Sequence, residues 1–447
     1  MAKKQLTIEE KLQAALVPAE EQPYKVPENW CWVRLSSVAT VITGGTPSKK
    51  HPEYYGSEFP FFKPADLDNG RSIVEASEYL SVAGKSVARI IPAHSTAVCC
   101  IGTIGKCGYL EVDGATNQQI NSMIPKIDPL YLYYYANTEL FINQLWSKAV
   151  ATTISIVNKS KMESNNVPLP PLAEQSRIVA RIESLFAKLD EAKAKIQEVL
   201  DGADLRRAAI LHQAFTGKLT EKWRKEKNIS IADWKEKTLK DCCRIGSGGT
   251  PSRKNPAFYR GDIPWVKTGE INWNELYDTE EHISKEAIDN SSAKLYREGA
   301  VLVAMYGMGA TRGRAAILRT NATTNQAVCA LETKENLLNQ FLFYYFMNNY
   351  WKIREKAVGG NQLNLSGKII EKLEVKLPVI EEQQEIVRLL DNLLSREQSI
   401  VTACEEALTT IDTLKKSILA RAFRGELGTN APSESSAKEL LQEILAS

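Results

Sequence analysis

Histidine, paired cysteines and long apolar runs are what this chain has least of. Its 447 residues include only four histidines, and none of its eight cysteines forms a Cys-x-x-Cys pair. Structural zinc sites and catalytic triads need such residues in convergent groups, so neither is predicted. No apolar run approaches the ~18 residues that can span a bilayer, and the N-terminal residues lack the apolar core of a signal peptide. We therefore expect reduced cysteines, no membrane segment and a cytoplasmic location.

A large net charge is also absent. The chain carries 56 basic and 54 acidic residues, for a net charge of +2, so a nucleic-acid surface would have to be local. The phosphate-loop spacing is missing at Gly44–Lys50, and Gly102–Lys106 is too short for it. Asn255–Phe258 faintly resembles the Asn-Pro-Pro-Tyr/Phe motif of amino-methyltransferases, but the second proline and a preceding glycine-rich cofactor loop are missing. Together these absences predict a chain with no catalytic site and no bound metal.

Two long segments with heptad spacing are the most regular feature of the sequence. Pro168–Leu219 is predicted to form one long helix, and Pro378–Leu427 repeats its pattern. In each segment apolar residues recur four and then three positions apart, which is the spacing of helices lying side by side. The two seams are therefore expected to pack on each other. The predicted seam residues are Ile178, Ile182, Leu185, Leu189, Ile386, Leu390, Leu393 and Ile400.

The blocks that precede these helices, Trp30–Val167 and Trp234–Leu377, are copies of each other. Gly44–Ser48 recurs as Gly248–Ser252, while the residues between the shared motifs diverge. Two similar scaffolds with different surfaces indicate that the two blocks recognise two different ligands.

The predicted fold class is α+β, with two similar mixed α/β domains joined by two long antiparallel helices in a pseudo-twofold, intramolecular coiled coil. Capping boxes at Thr7 and Ser436 predict short helices at both ends. The predicted order is an N-terminal helix and linker (1–29), the first block (30–167), the first helix (168–219), a linker (220–233), the second block (234–377), the second helix (378–427) and a C-terminal linker and helix (428–447).

Each block also carries glycine-rich turns beside cations and amides. Backbone N–H groups, hydroxyls and cations on one loop suit a nucleic-acid phosphate, while Arg, Lys, Asn and Gln can read base edges. The predicted DNA-binding residues of the first block are Gly44, Gly45, Thr46, Ser48, Lys49, Lys50, Lys63, Thr103, Lys106, Asn117 and Gln118. Those of the second block are Gly248, Gly249, Thr250, Ser252, Arg253, Lys254, Lys267, Arg312, Arg314, Asn325 and Gln326.

A structural interpretation stands beside each of these assignments. Gly-Gly-Thr-Pro forms a tight turn in any context, and an Asn-Gln amide at a strand edge can bond the backbone instead of a base. The aromatic runs Tyr133–Tyr135 and Phe343–Tyr345 are expected to lie in the core rather than to stack on bases.

The motifs at both ends of the long helices carry a family resemblance. The pattern P-L-x-E-Q-x-x-I-V begins the first helix, A-F-x-G-x-L ends both, and G-G-T-P-S occurs in both blocks. With this duplicated layout, the chain resembles the DNA specificity subunit of a type I restriction–modification enzyme. In the second copy Leu377-Pro378 is displaced by one position. The motif residues are Pro171-Leu172, Glu174-Gln175 and Ile178-Val179, then Val379-Ile380, Glu382-Gln383 and Ile386-Val387, with ends at Ala214-Phe215-Gly217-Leu219 and Ala422-Phe423-Gly425-Leu427.

The resemblance implies that each block is a target recognition domain reading one half of a bipartite double-stranded DNA sequence. The helices would set the half-site spacing and dock two DNA adenine methyltransferase subunits, which restriction/translocase subunits then join. S-adenosylmethionine, ATP and Mg²⁺ would belong to those partners, and no cofactor to this chain. The terminal helices would meet beside the helix pair. Two alternatives stay open: the recognition half of a fused restriction–methylation enzyme, and a coiled-coil scaffold that binds no DNA.

Overall fold

The computed structural model describes residues 7–151, 155–307, 309–358 and 364–446. The chain forms two compact units, the first from residues 1–196 with 406–447 and the second from residues 197–405. Each unit contains one predicted block together with parts of both long helices, and the predicted α+β class is confirmed. The first six residues of the predicted N-terminal segment, and Met308 within the predicted second glycine turn, lie outside the described residues.

The block of the first unit is built on two four-stranded sheets. One is antiparallel throughout, and the other ends in a parallel pair. The strand order of the first sheet is Ala39–Thr43, Ile120–Pro125, Thr96–Cys99, Cys107–Tyr109. That of the second is Tyr55–Gly56, Glu78–Leu80, Phe59–Phe62, Ala115–Thr116. Val150–Ala151 and Ser155–Ile156 form a further antiparallel pair of strands.

The block of the second unit repeats the central strands of both sheets and differs at their edges. The larger sheet has one more strand, and the smaller sheet has an edge strand beside Ala322–Thr324, whereas that of the first unit lies beside Glu78–Leu80. The added strand, Asn274–Leu276, replaces an isolated parallel bridge of the first unit. The order of the larger sheet is Cys243–Ser247, Val328–Thr333, Val301–Ala304, Ala315–Leu318, Asn274–Leu276. That of the smaller sheet is His282–Ile283, Ile263–Val266, Ala322–Thr324, Leu295–Tyr296.

A two-stranded ribbon closes each block where the chain enters and leaves it. Cys31–Arg34 pairs with Asn166–Leu169 in the first unit, and Lys235–Thr238 pairs with Glu374–Leu377 in the second. The long helix follows directly after the outgoing strand in both cases. The block is therefore anchored to the start of its helix.

The remaining helices are shorter than the two long ones. The long ones are Leu172–Asp201 and Ile380–Ala422. In the first unit the others are Ile8–Ala15, Leu35–Val38, Val82–Val87, Pro129–Ala136, Glu139–Lys148, Lys159–Glu163 and Ala437–Ala446. In the second they are Ala203–Phe215, Glu221–Lys227, Leu239–Cys242, Lys285–Asp289, Asn339–Asn348, Tyr350–Glu355 and Gly367–Glu371. Single 3₁₀ turns lie at Ala19–Glu21, Pro52–Tyr54, Asp66–Asn69, Ile231–Asp233, Pro256–Tyr259 and Thr268–Glu270.

Aromatic side chains fill the core of each block, as expected from their sequence runs. Tyr131 and Tyr135 are completely buried in the first unit, and Phe341 and Phe346 in the second. The Tyr135 hydroxyl donates to a backbone carbonyl 2.5 Å away, which satisfies its polar end inside the core. Within the two aromatic runs, Tyr133–Tyr135, Phe343 and Tyr345 are buried core residues, whereas Tyr344 is half-buried.

The first long helix departs from its prediction, because it is interrupted at Gly202. Gly202 has a ψ of −5°, which departs from the regular helical value of about −42°, although its N–H still donates to the Glu198 carbonyl at 3.2 Å. Next to this break the Arg206 guanidinium donates to the Val199 carbonyl at 2.8 Å and to Glu397 at 2.7 Å. Glu397 is only 5% exposed. A charged pair at a seam position fixes the pairing of two helices more strictly than apolar residues do.

The helices run antiparallel within each unit. In the first unit Asp190 pairs with Lys415 at 2.5 Å and Lys193 with Asp412 at 3.5 Å, so the numbering rises on one helix as it falls on the other. The predicted seam is completely buried only at Ile178, Ile182, Ile386 and Leu390, which also pack against the block of their own unit.

Farther along the helices the seam is only partly covered. Leu185, Leu189 and Leu393 are half-buried. Ile400 is 45% exposed, so its assignment to a buried seam is wrong. The physical reason is that two helices without a third layer cover only part of each other's apolar stripe.

A Glu-Gln pair at the start of each long helix explains the shared motif. Glu174 and Glu382 are completely buried. Glu174 accepts a hydrogen bond from the Trp30 indole at 2.7 Å, and Glu382 accepts one from the Trp234 indole at 3.0 Å. In the second unit Arg224 also donates to Glu382 at 2.6 Å. Each carboxylate thereby ties the first residues of a block to the helix that follows it.

The glutamines make the second tie. Gln175 donates to the Pro170 carbonyl at 2.9 Å and accepts from the Asp128 N–H at 3.0 Å. Gln383 repeats both contacts, donating to the Pro378 carbonyl and accepting from the Leu338 N–H at 3.0 Å each. The motif is therefore a structural joint between helix and block.

The chain ends meet in the first unit, as expected. The helix Ile8–Ala15 begins with the predicted capping box at Thr7 and packs on the helix Ala437–Ala446. The Lys11 ammonium donates to the Leu445 carbonyl at 3.1 Å. Both helices contribute to the same apolar core as the first block.

Candidate nucleic-acid interface

In the first unit the Gly-Gly-Thr-Pro-Ser loop lies against the amide turn at Asn117–Gln119. The Gly45 N–H donates to the Thr116 carbonyl at 2.8 Å, and the Thr46 hydroxyl donates to the Gln118 side-chain oxygen at 2.5 Å. Two segments far apart in sequence thus form one surface.

The second unit builds the same surface from its own copies of these residues. The Gly249 N–H donates to the Thr324 carbonyl at 2.9 Å, and the Thr250 hydroxyl donates to the Gln326 side-chain oxygen. Outside the loop, a tyrosine hydroxyl donates to the proline carbonyl of each loop, at 2.6 Å for Tyr55 and 2.7 Å for Tyr259. The shared motifs therefore encode one local geometry twice.

The first glycine of each loop is required by this close approach. A Cβ atom on Gly44 would lie 2.2 Å from the Asn117 carbonyl oxygen, and one on Gly248 would lie 1.9 Å from the Thr324 carbonyl oxygen. By contrast, a Cβ on Gly45 would have no atom within 4 Å. Gly44 and Gly248 thus allow the loop to pack closely against the amide turn of its unit.

The asparagines and glutamines of the amide turns have different environments. The Asn117 side-chain oxygen accepts the Gln119 N–H at 3.1 Å, and the Asn325 oxygen accepts the Ala327 N–H at 3.0 Å. Asn117 is only 7% exposed. Both asparagines hold the turn, whereas the following glutamines, bonded to Thr46 and Thr250, are exposed.

The cations next to the loops also differ. Lys49, Lys50 and Lys254 are exposed and have no ion-pair partner in the part of the chain that the structure describes. Arg253 pairs with Glu281 at 2.7 Å, and its guanidinium lies over an aromatic ring, 4.1 Å from the centroid of Tyr259. The hydrogen bond that Arg253 donates to the Glu281 carboxylate raises the pKa of Arg253 and lowers the pKa of Glu281. Arg253 is therefore held in place, while the three lysines are available to a phosphate.

The predicted lysines at the ends of the central strands are ion-paired. Lys63 pairs with Glu78 at 2.6 Å. Lys267 pairs with Glu280 at 2.8 Å and with Glu281 at 3.2 Å, and these carboxylates raise its pKa. Both positions are half-buried, so much of their charge is already compensated.

The second glycine turn of each unit ends in a cation. Lys106 follows an exposed Thr103 and pairs with Asp68 at 2.6 Å. Arg314 donates to the side-chain oxygen of Asn272 instead. Arg312 and Arg314 are both half-buried, and Ser48 and Ser252, the remaining predicted hydroxyls, are exposed on the first loops. Sequence alone missed Asp68 and Asn272, because neither belongs to a repeated motif.

Two further findings concern metal binding and membrane insertion. In the described ranges no group of three His, Cys, Asp or Glu side chains is placed to hold a metal ion. Over the same residues, none of the helices has the length and apolarity to cross a membrane.

Comparison with known proteins places this architecture in one family. The family model described as "Type I restriction modification DNA specificity domain" matches residues 27–201 and again 231–409. The EcoKI specificity subunit of Escherichia coli K12, a type I restriction enzyme component, is 24% identical over 94% of this chain and 96% of its own length. The corresponding EcoBI subunit of Escherichia coli is 26% identical over 70% of this chain and 71% of its own.

Solved structures share the fold. The HsdS subunit from Thermoanaerobacter tengcongensis superposes with a TM-score of 0.63 at 20% identity, covering 91% of this chain and 99% of that one. A chain from a study of assembly and conformational transition in the type I R-M system gives 0.69 at 21% identity, covering 90% and 100%. With two copies of the family domain spanning most of its length, the chain belongs to the type I restriction–modification DNA specificity subunits.

Proposed function

We propose that the chain reads a bipartite duplex target, one half with each unit, on behalf of catalytic partner subunits. The observation that carries this proposal is the loop geometry present in both units. Thr46 with Gln118, and Thr250 with Gln326, hold the same exposed amide in the same place, while the residues around them differ. The geometry that both units share suits the sugar-phosphate backbone, which is the same in every DNA segment. The residues that differ between the units suit base pairs, which differ between the two half-sites.

The phosphate contacts in this proposal come from the unpaired lysines. Lys49 and Lys50 in the first unit and Lys254 in the second lie next to exposed hydroxyls on the same loops. Phosphate contacts position a protein on the duplex and make binding salt-dependent. The exposed glutamines supply amide groups that can bond base edges in the major groove.

The long helices would set the half-site spacing and dock two methyltransferase subunits, which restriction/translocase subunits then join. The helix Ile380–Ala422 has 43 residues, about 65 Å at ~1.5 Å per residue, which corresponds to at most about 19 base pairs at ~3.4 Å each. S-adenosylmethionine, ATP and Mg²⁺ would be bound by those partners. In this proposal the complex would act on duplex DNA in the cytoplasm.

Exchanging one recognition block tests this proposal. The chain is co-expressed with its methyltransferase subunits after Trp30–Val167 has been replaced by the same block of a relative, and the methylated motif is read by methylome sequencing. We expect one half of the motif to change and the other half and the spacer to persist. A change in both halves would contradict reading by separate units.

A control separates the two alternative functions. The purified wild-type chain is titrated with random duplex DNA at increasing salt and, separately, with S-adenosylmethionine. A scaffold without a DNA role would show no salt-dependent binding to the duplex. Tight binding of S-adenosylmethionine by the chain alone would favour part of a fused methylating enzyme.

A further inference from the structure

The basic turns of the two units share one backbone conformation. Gly105 and Gly313 both adopt left-handed backbone angles, with φ of +91° and +88°. The residue after each glycine, Lys106 or Arg314, donates its N–H to the carbonyl of the threonine three positions earlier, at 3.3 Å and 3.0 Å. The two cations are therefore equivalent positions of the repeat.

The side chains that face these cations are equivalent in position and different in charge. In each unit a lysine N–H, from Lys63 or Lys267, donates to a carboxylate three residues later at 2.6 Å. Two residues beyond that carboxylate stands Asp68 in the first unit and Asn272 in the second. Both side chains are exposed at the surface of their unit.

The exchange of an aspartate (Asp68) for an asparagine (Asn272) at this position changes the electrostatics of the basic turn. Lys106 lies 2.6 Å from a carboxylate oxygen of Asp68, so its charge is compensated at short range. Arg314 bonds the neutral amide oxygen of Asn272 and has no carboxylate partner among the residues that the structure describes, so its positive charge is not compensated by an ion pair. An arginine that keeps its charge and has a fixed position is suited to bind a phosphate.

The turn of the second unit is also held rigidly. Arg354 donates to the Gly309 carbonyl at 2.7 Å and to the Arg312 carbonyl at 2.6 Å, and the Tyr350 hydroxyl donates to the Ala310 carbonyl at 2.5 Å. These contacts fix the backbone that presents Arg314. Less conformational entropy is then lost when a ligand binds.

We propose that the residue at position 68 or 272 sets the charge of the basic turn, so that the second unit grips a DNA phosphate through Arg314 while the first unit leaves Lys106 compensated. The inference rests on the proposed DNA-reading function and deepens it. The two units then hold the DNA backbone differently: the first mainly through Lys49 and Lys50, the second also through its basic turn.

Reciprocal exchange of the two residues tests the inference. Binding of the full chain to a labelled duplex of random sequence is measured over a range of salt concentrations for the wild type, Asp68→Asn and Asn272→Asp. We expect the slope of log K against log salt to grow by about 0.9 in Asp68→Asn and to shrink by about 0.9 in Asn272→Asp, one phosphate contact each. Arg314→Gln should shrink it equally, and adding Asn272→Asp to Arg314→Gln should change little more.

Asn321→Asp serves as the charge-matched control. Asn321 is exposed in the same unit, and its side-chain oxygen accepts the Glu298 N–H at 3.0 Å, a contact that aspartate keeps. Its salt slope should stay at the wild-type value. If Asn272→Asp and Asn321→Asp weaken binding equally, or if Asp68→Asn leaves the slope unchanged, the inference is overturned. A wild-type chain that binds no duplex would overturn the proposed function itself.

Discussion

Replacing Gly44 by alanine should displace the Gly-Gly-Thr-Pro-Ser loop from the amide turn of the first unit. Replacing its neighbour Gly45 by alanine should leave the loop in place. The two substitutions add the same methyl group at adjacent positions of one loop. On Gly44 it would meet the carbonyl oxygens of Asn117 and Thr116 at 2.2 Å and 2.3 Å, while on Gly45 it would meet nothing within 4 Å. Neither glycine has a positive φ among the described backbone angles, so the contrast is steric.

The magnitude follows from the contacts that must be broken. Relief of the clash needs a shift of about 1 Å, and overpacking of this kind costs roughly 1–3 kcal/mol. The shift also weakens the hydrogen bonds from the Gly44 N–H to Ile120 and from the Gly45 N–H to Thr116, at 2.9 Å and 2.8 Å, worth about 0.5–1.5 kcal/mol each. Gly45→Ala should instead be neutral, or stabilising by up to ~1 kcal/mol through the unfolded state.

The assay is urea denaturation of both variants, followed by methylome sequencing with the methyltransferase subunits present. Gly44→Ala should lose stability in the first unit and lose or relax recognition of one half-site, because the Thr46–Gln118 contact depends on the loop position. Equal stability of Gly44→Ala and Gly45→Ala would refute the steric reasoning.

Two further predictions concern the long helices. Glu382→Gln should destabilise the second unit by about 3–5 kcal/mol, because it leaves the buried Arg224 guanidinium uncompensated. Glu174 accepts hydrogen bonds from the neutral Trp30 indole and Asn430 amide, so Glu174→Gln should cost only about 1–3 kcal/mol. Equal losses in urea denaturation would argue against a role for the buried charge. Matched insertions of seven residues after Leu200 and after Glu405 keep both heptads in phase and lengthen the pair by about 10 Å, or about three base pairs. Methylome sequencing should show a longer spacer between unchanged half-sites, and an active variant with the original spacer would show that the helices do not set the distance.

The sequence was sufficient for features that are written in local periodicity or in repetition. Heptad spacing predicts a helix with one apolar side wherever it occurs, because side chains four and three positions apart lie on one face. Duplication of Gly44–Ser48 as Gly248–Ser252 indicated two similar blocks, and the two units share the order of their central strands while differing at the sheet edges. The N-terminal helix was predictable from its capping box at Thr7 for the same local reason.

The errors arose where neighbours in space decide the outcome. The break at Gly202 is stabilised by Arg206 reaching back to an open carbonyl and across to Glu397, a contact between distant parts of the chain. Ile400 fits the heptad and is nevertheless 45% exposed, because covering a seam needs a further layer that periodicity does not report. A helical pattern identifies the apolar face but not how completely it is covered.

The sequence by itself determined the element types, the duplication and the absence of any catalytic motif. Tertiary structure alone decided which cations are available to a ligand. Arg253 and Lys254 are adjacent and alike in sequence, yet Glu281 and two aromatic rings hold the first while the second is exposed. Lys106 and Arg314 are equivalent in the repeat, yet Lys106 pairs with the Asp68 carboxylate while Arg314 bonds the Asn272 amide. Electrostatic free energy falls off with distance in space and not along the chain, so the fold had to bring these partners together before their charges could be assigned.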